Sequence, residues 1–135
     1  MYTNLSAKNF IKQLPIFVYQ TESLENTLNK MMYFCLSTIT TIDEKTKIKA
    51  VIRKSDIEEH IAKDKTKNIA DIITETTSSV IVYPDSDIRD VLSTMKALEL
   101  NYIPVAKYPW NKLLLGFLDR KHIEEELRTE DCAIL

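Results

Sequence analysis

Two stretches of this chain, PIFVYQTESLENTLNKM at Pro15–Met31 and SVIVYPDSDIRDVLSTM at Ser79–Met95, align over their full length without a gap. Corresponding positions lie 64 residues apart. Repetition at a constant spacing predicts that one structural unit occurs twice in the chain. The identical pairs in this alignment are Val18 and Val82, Tyr19 and Tyr83, Leu28 and Leu92, and Met31 and Met95.

The repeat continues beyond these stretches, where Leu36 pairs with Leu100 and Ile39 with Ile103. The second copy then has two extra residues around KYPWNK, after which AVIRKSDIEEHI matches GFLDRKHIEEEL. The single glycine of the chain, Gly116, occupies the position that Ala50 has in the first copy.

Each copy predicts the element order βαββα, because short β-rich runs alternate with segments that are apolar at helical spacing. The fold class is therefore α/β, with repeats at 1–64 and 65–128 and a short tail at 129–135. A repeat of roughly 60 residues is marginal alone, so the two copies are expected to pack together. The first helices are expected to start at Thr21 and Asp85, and the segments SAKNFI and NIADII open the two copies. The predicted strands are Ile16–Tyr19, Leu36–Ile42 and Ile48–Ile52 in copy one and Val80–Tyr83, Tyr102–Lys107 and Leu113–Leu118 in copy two.

Composition excludes several classes of function. Apolar residues make up 44% of the chain and the net charge is −2, which describes a globular protein without a basic surface for nucleic acid. The longest apolar run, Leu113–Leu118, is far too short to insert into a membrane, and no secretory signal is present, so a cytoplasmic location is expected. Two cysteines and two histidines predict no metal site. One glycine cannot build a phosphate loop, and no catalytic constellation is found, so we expect a protein that is not an enzyme.

The duplicated βαββα pattern resembles a CBS-domain pair, or Bateman module. The resemblance rests on VIVYPDSDIRDVLSTM, on the strand NYIPVA and on the helix start LLLGFLDRKHI, and it covers about 6–127. It implies two halves related by a pseudo-twofold axis, packed through their sheets, and association into a homodimer. It also implies regulation of an attached or associated channel (chloride-channel type), transporter (magnesium-transporter type) or enzyme. Many such modules bind AMP, ADP or ATP as a regulatory ligand in the cleft between the halves, and no cofactor is required.

The resemblance also implies a nucleotide site at the start of the second helix of each copy. Nucleotide-binding members have Thr or Ser three residues before an Asp that binds the ribose. In copy one Arg53 replaces the Thr or Ser and Asp56 keeps the acceptor; in copy two Asp119 and His122 replace both. The nucleotide-binding candidates are Arg53, Asp56, Asp119 and His122 with the strand residues Ile39, Ile103 and Pro104, and Tyr19, Tyr83 and Tyr102 are candidates either for an adenine slot or for the core.

Structural roles without any ligand account for several of these residues. Ser55 and Glu58 have the spacing of a capping box, and the helix dipole favours Asp56 in the first turn. Asp119 is favoured as an N-cap of the last helix over a ligand-binding residue. We expect His122 to be a partly exposed residue of the first turn and His60 to face solvent.

Other residues leave alternatives open. Gly116 predicts a bulge or a close backbone approach, either beside a ligand cleft or in a tightly packed strand. Trp110, on the predicted turn, either contacts a partner or folds back onto its own sheet. The segment from Met31 to Cys35 is expected to be core and dimerisation surface, with Cys35 buried. The terminal CAIL fits a prenylation motif at Cys132, although no polybasic stretch precedes it.

Overall fold

The computed structural model describes residues 5–64, 66–73 and 80–134, with side chains up to residue 128. The helices and strands have the order that the repeat predicts except at the first strand of the second copy, and the fold is mixed α/β. A short 3-10 turn at Ala7–Asn9 precedes the first strand. The strands are β1 (Phe17–Tyr19), β2 (Thr38–Ile42), β3 (Ile48–Arg53), β4 (Tyr102–Tyr108) and β5 (Asn111–Asp119), and the helices are α1 (Leu24–Tyr33), α2 (Lys54–Lys63), α3 (Ile69–Ile72), α4 (Ile88–Ala97) and α5 (Arg120–Ile134).

The chain forms two compact units. The repeat-one unit comprises Pro15–Val80 and Lys112–Leu114. Its sheet has the order β1-β2-β3, with β1 parallel and β3 antiparallel to β2. Helices α1 and α2 pack against each other because each has an apolar face, which includes Met31 and Ile57.

The repeat-two unit comprises Met1–Leu14, Ile81–Asn111 and Leu115–Leu135. Strands β4 and β5 are neighbours in one sheet, and helix α4 packs against α5. Ile88, Met95 and Ile123 are almost fully buried in this unit. These helices use the same sequence positions for their core as α1 and α2 do, which supports the alignment of the two copies.

The first strand of the second copy is shorter than predicted. Instead of a strand at Val80–Tyr83, the structure has a single parallel bridge between Val82 and Val105. This bridge corresponds to the pairing of Val18 with Thr41 in the repeat-one unit, since both partners are shifted by 64 residues. The duplication therefore extends to strand register.

The predicted starts of the first helices, Thr21 and Asp85, are each two residues too early. A turn intervenes between strand and helix in both copies, closed by the hydrogen bonds from Glu22 N to Tyr19 O and from Ser86 N to Tyr83 O. The caps are Ser23, whose Oγ accepts from Asn26 N at 3.1 Å, and Asp87, whose Oδ1 accepts from Arg89 N at 2.8 Å. Short polar side chains at these positions satisfy backbone donors of the first turn.

The opening segment of each copy packs with the core of the other copy. The backbone N–H groups of Ala7 and Lys8 donate to Ser86 O and Pro84 O, both at 2.9 Å. In the repeat-one unit Ile69 N donates to Glu22 O at 2.9 Å and Ala70 N to Gln20 O at 2.8 Å. The acceptors Pro84 and Ser86 lie 64 residues after Gln20 and Glu22, so the opening segments make equivalent hydrogen bonds in both units. The compact units consequently divide the chain differently from contiguous repeats at 1–64, 65–128 and 129–135, and those repeat bounds stay a prediction.

Cys35 is exposed, so the prediction that it is buried was wrong. It follows α1 with a φ of 55°, and Glu99 follows α4 with a φ of 56°. Leu36 N donates to Met31 O and Leu100 N to Met95 O, each at 2.8 Å, which is the six-residue closure of a Schellman motif. Because the left-handed residue of this motif points away from the helix core, Cys35 faces solvent. The rest of its segment is divided: Met31 is buried, whereas Met32 and Tyr33 are exposed.

Candidate ligand-binding site

The helix start in the repeat-one unit brings Arg53 and Asp56 together. Strand β3 ends at Arg53 and α2 begins at the next residue, so Asp56 lies in the first helical turn, as predicted. Arg53 Nε donates to Asp56 Oδ2 at 3.2 Å. The arginine side chain is 65% exposed and the aspartate side chain 17%. The predicted ribose acceptor, Asp56, and the predicted phosphate-binding cation, Arg53, are therefore paired with each other.

The predicted capping box of Ser55 and Glu58 was wrong. Residue Arg53 occupies the N-cap position and its side chain makes no capping hydrogen bond. Ser55 lies inside the first turn and is exposed. A capping box needs the hydroxyl at the position that precedes the helix, and the helix here follows the strand without a connecting residue.

The corresponding helix start in the repeat-two unit uses its polar groups for local structure. Asp119 ends β5, and its Oδ1 accepts from Lys121 N at 3.1 Å, which confirms its predicted role as an N-cap. Its Oδ2 lies 3.8 Å from Lys12 Nζ. His122 is half-buried, as predicted, and its ring meets Phe10 edge-on with the centroids 5.9 Å apart.

The strand candidates are divided between core and surface. Ile39 in β2 and Ile103 and Pro104 in β4 are buried. Tyr83 and Tyr102 are half-buried, whereas Tyr19 is 51% exposed. Tyr19 is therefore not a core residue. The nucleotide-binding roles of the strand and helix-start residues stay predictions.

Comparison with solved structures finds CBS-domain pairs. The CBS domains of a transcriptional regulator from Streptococcus pneumoniae are similar with a TM-score of 0.71 at 19% identity, over 90% of this chain and 98% of theirs. CBSX2 of Arabidopsis thaliana, in complex with AMP, gives a TM-score of 0.70 at 17% identity, over 93% and 98% of the two chains. The soluble part of a magnesium transporter gives 0.68 at 19% identity, over 96% of this chain and 50% of that one.

This chain has the fold of a CBS-domain pair. No protein-family profile and no curated protein sequence matches it. The CBS-pair fold is thus shown by structural similarity, at sequence identities that leave the ligand and the partner to be argued from the chain's own residues.

Within this CBS-pair fold, Gly116 makes the close backbone approach that its sequence context predicts. Its φ is +152°, and a Cβ at this position would lie 2.6 Å from Ile11 Cγ2 and 2.7 Å from Lys12 O. The neighbour is the opening segment, whose Lys12 exchanges two backbone hydrogen bonds with Phe117 at 2.8 and 2.9 Å. Gly116 therefore lies in a tightly packed strand, and the atoms that require it belong to the protein itself.

Sequence reasoning missed Lys12 and misjudged His60. Lys12 lies over 100 residues from Asp119 in the chain, and no periodicity connects the two. His60 was predicted to face solvent but is buried, with 7% of its surface exposed. It follows Ile57 by one helical turn, so it shares the face of α2 that packs against α1.

In the part of the chain that the structure describes, no helix is both long enough and apolar enough to cross a membrane. Within the same ranges no three His, Cys, Asp or Glu side chains are grouped so that they could hold a metal ion. The predicted lipidation of Cys132 concerns a side chain outside those described.

Proposed function

We propose that this chain is a non-catalytic regulatory module of the CBS-pair type, which serves an ion channel or transporter on its cytosolic side. Its role is dimerisation or gating without a nucleotide. The observation that carries the proposal is that the carboxylates of both helix starts, Asp56 and Asp119, already have partners within the protein. The similarity to the soluble part of a magnesium transporter supports the proposed type of partner.

The helix start of the repeat-two unit argues most directly against a ribose site. Asp119, at the position of the Thr or Ser, caps α5 and lies beside Lys12, so a ligand there would have to replace contacts that stabilise the fold. His122 offers a single acceptor nitrogen when it is neutral, whereas a carboxylate can accept from two hydroxyls. Replacement of the expected carboxylate by histidine thus removes the bidentate acceptor.

A second candidate function is adenine-nucleotide sensing, in which a stand-alone protein regulates a partner enzyme. It is favoured by Arg53 and Asp56, because an exposed guanidinium can leave its carboxylate and bind phosphate oxygens while the carboxylate accepts from ribose hydroxyls. The arginine of this ion pair is mostly exposed, and ion pairs at the surface are worth about 0–1 kcal/mol, so a nucleotide could break it at little cost. The complex of CBSX2 with AMP supports this candidate by analogy of fold.

Calorimetric titration of the protein with AMP, ADP and ATP separates the two candidates. The first proposal expects no heat of binding with any of them. Micromolar binding that Asp56→Ala abolishes and Asp119→Asn leaves unchanged would establish the second candidate and overturn the first. Asp119→Asn is the matched control because asparagine also caps helices.

We further propose that the module forms a homodimer through the exposed apolar ends of its first helices. Met32 is 59% exposed and Tyr33 82% exposed at the end of α1, and Leu98 is 52% exposed after α4. Met32 and Tyr33 are neighbours at the end of α1, and large apolar side chains that are exposed side by side are typical of surfaces that bind another protein.

A further inference from the structure

A groove of about 670 Å³ lies within the repeat-two unit, beside the turn that joins β4 and β5. Its lining includes Tyr83 and Pro84 together with the turn residues Tyr108, Pro109 and Trp110. A volume of this size falls in the range of roughly 300–1,000 Å³ that is usual for sites of small molecules. Most of the lining therefore consists of aromatic and proline rings, which offer flat apolar surfaces to a ligand.

The aromatic side of the groove is ordered before any ligand arrives. The rings of Tyr108 and Trp110 stack with their centroids 4.9 Å apart and an angle of 6° between the planes. Trp110 is 81% exposed and Tyr108 44% exposed. Because the two rings already hold each other, a third ring that stacks on them orders few further side-chain rotamers.

Closing the turn does not require these aromatic residues. The first copy closes the same pair of strands with Asp43–Lys47, in which Asp43 Oδ1 accepts from the backbone N–H groups of Lys45 and Lys47 at 2.8 and 3.0 Å. That turn contains no aromatic residue. The stacked pair in the second copy is thus additional to what the fold needs, and an exposed tryptophan is a feature of binding surfaces.

The charged residues of the groove are two lysines and one aspartate. Lys8 lies beside Pro84, to whose carbonyl its backbone N–H donates at 2.9 Å, and Lys107 lies beside Tyr108, with its Nζ 5.8 Å from the centre of that ring. Asp85 is the acidic residue. The local balance is positive in a chain whose net charge is −2, so the groove is complementary to an anion.

We propose that this groove binds a small planar aromatic compound with one anionic group, such as a phosphate or a carboxylate. The ring stacks on the Tyr108 and Trp110 pair, and Lys8 and Lys107 bind the anionic group. This site is distinct from the helix start at Asp119. Strand β5 begins directly after Trp110 and ends at Asp119, so the Tyr108 and Trp110 pair lies at the opposite end of that strand from the helix start. The proposal does not depend on whether a nucleotide binds at Asp56.

Phenyl phosphate is the probe, and the fluorescence of Trp110 is the readout, because Trp110 is the only tryptophan of the chain. We expect saturable quenching with a dissociation constant on the order of millimolar, as is usual for so small a ligand. Inorganic phosphate and phenol serve as controls that each lack one half of the probe. We expect each of them to bind at least about fivefold more weakly than phenyl phosphate, because only the intact probe makes both contacts. Quenching that does not saturate, or that phenol produces equally well, would overturn the proposal.

Two substitutions test the contribution of charge. Lys107→Gln is expected to weaken phenyl phosphate binding about threefold to fivefold, the effect of removing one exposed charge contact. Lys45→Gln is the matched control, because it removes an exposed lysine from the corresponding turn of the first copy. Equal binding by the Lys107→Gln variant and the unsubstituted protein, or equal weakening in both variants, would contradict the proposal. Circular dichroism of each variant verifies that it is folded.

Discussion

At the scale of single residues, Gly116 is a position where the fold does not accommodate a larger side chain. Gly116→Ala is expected to lower the free energy of unfolding by about 2 kcal/mol or more, since the added Cβ meets both a side chain and a backbone oxygen at an unfavourable φ. The backbone oxygen belongs to Lys12, which is paired with Phe117 and cannot move without losing that pairing. Urea unfolding followed by circular dichroism measures the loss.

The aligned position in the first copy provides the control for this prediction. Ala50 is buried in β3, and the residues with positive φ do not include it. Ala50→Gly is therefore expected to cost only about 0.5–1 kcal/mol, the usual effect of glycine within a strand. If both substitutions have the same small effect, the close approach of the opening segment to β5 is wrong.

At the scale of elements, the turn between β2 and β3 is stabilised by a carboxylate. Hydrogen bonds from the backbone N–H groups of Lys47 and Lys45 hold the pKa of Asp43 below its ordinary value of 3.8, with the Lys47 bond as the largest cause. A lowered pKa in the folded protein means that the contribution of Asp43 to stability is present above pH 3.8 and is lost as the pH falls through the folded pKa. Asp43→Asn should therefore destabilise the protein at pH 7, and the difference from the unsubstituted protein should shrink at pH 3.

Urea unfolding at the two pH values tests this prediction. Glu44→Gln, which changes an exposed carboxylate of the same turn, is the control and is expected to produce no such pH-dependent difference. A gap between the Asp43→Asn variant and the unsubstituted protein that is equally large at pH 3 would show that the carboxylate does not act through its charge.

At the scale of the whole molecule, the proposed homodimer depends on exposed apolar helix ends. Tyr33→Asp is expected to increase the dissociation constant of the dimer about tenfold or more, because it places a charge within an apolar contact. Sedimentation equilibrium measures this change. Tyr108→Asp, at an exposed tyrosine of the turn between β4 and β5, is the control. Dissociation by Tyr108→Asp but not by Tyr33→Asp would assign the interface to the groove instead.

The sequence by itself determined the architecture, because apolar periodicity and short polar caps are local properties and the duplication can be read from the order of residues alone. It predicted the N-cap role of Asp119, the close approach at Gly116 and the order of strands and helices apart from the first strand of the second copy. It also predicted that Asp56 lies in the first turn of its helix, three residues after Arg53. Each of these follows from residue types within a few positions or from the repeat itself.

Only the tertiary structure decided which distant groups meet. The opening segment of each copy joins the core of the other, Lys12 reaches Asp119, and the face of α2 that packs against α1 buries His60. The groove beside Trp110 likewise needs Lys8 and Tyr83 to approach a turn far along the chain. Periodicity identifies which side of an element is apolar, but the partner of that side is selected by packing among elements remote in sequence, and no local pattern contains that choice.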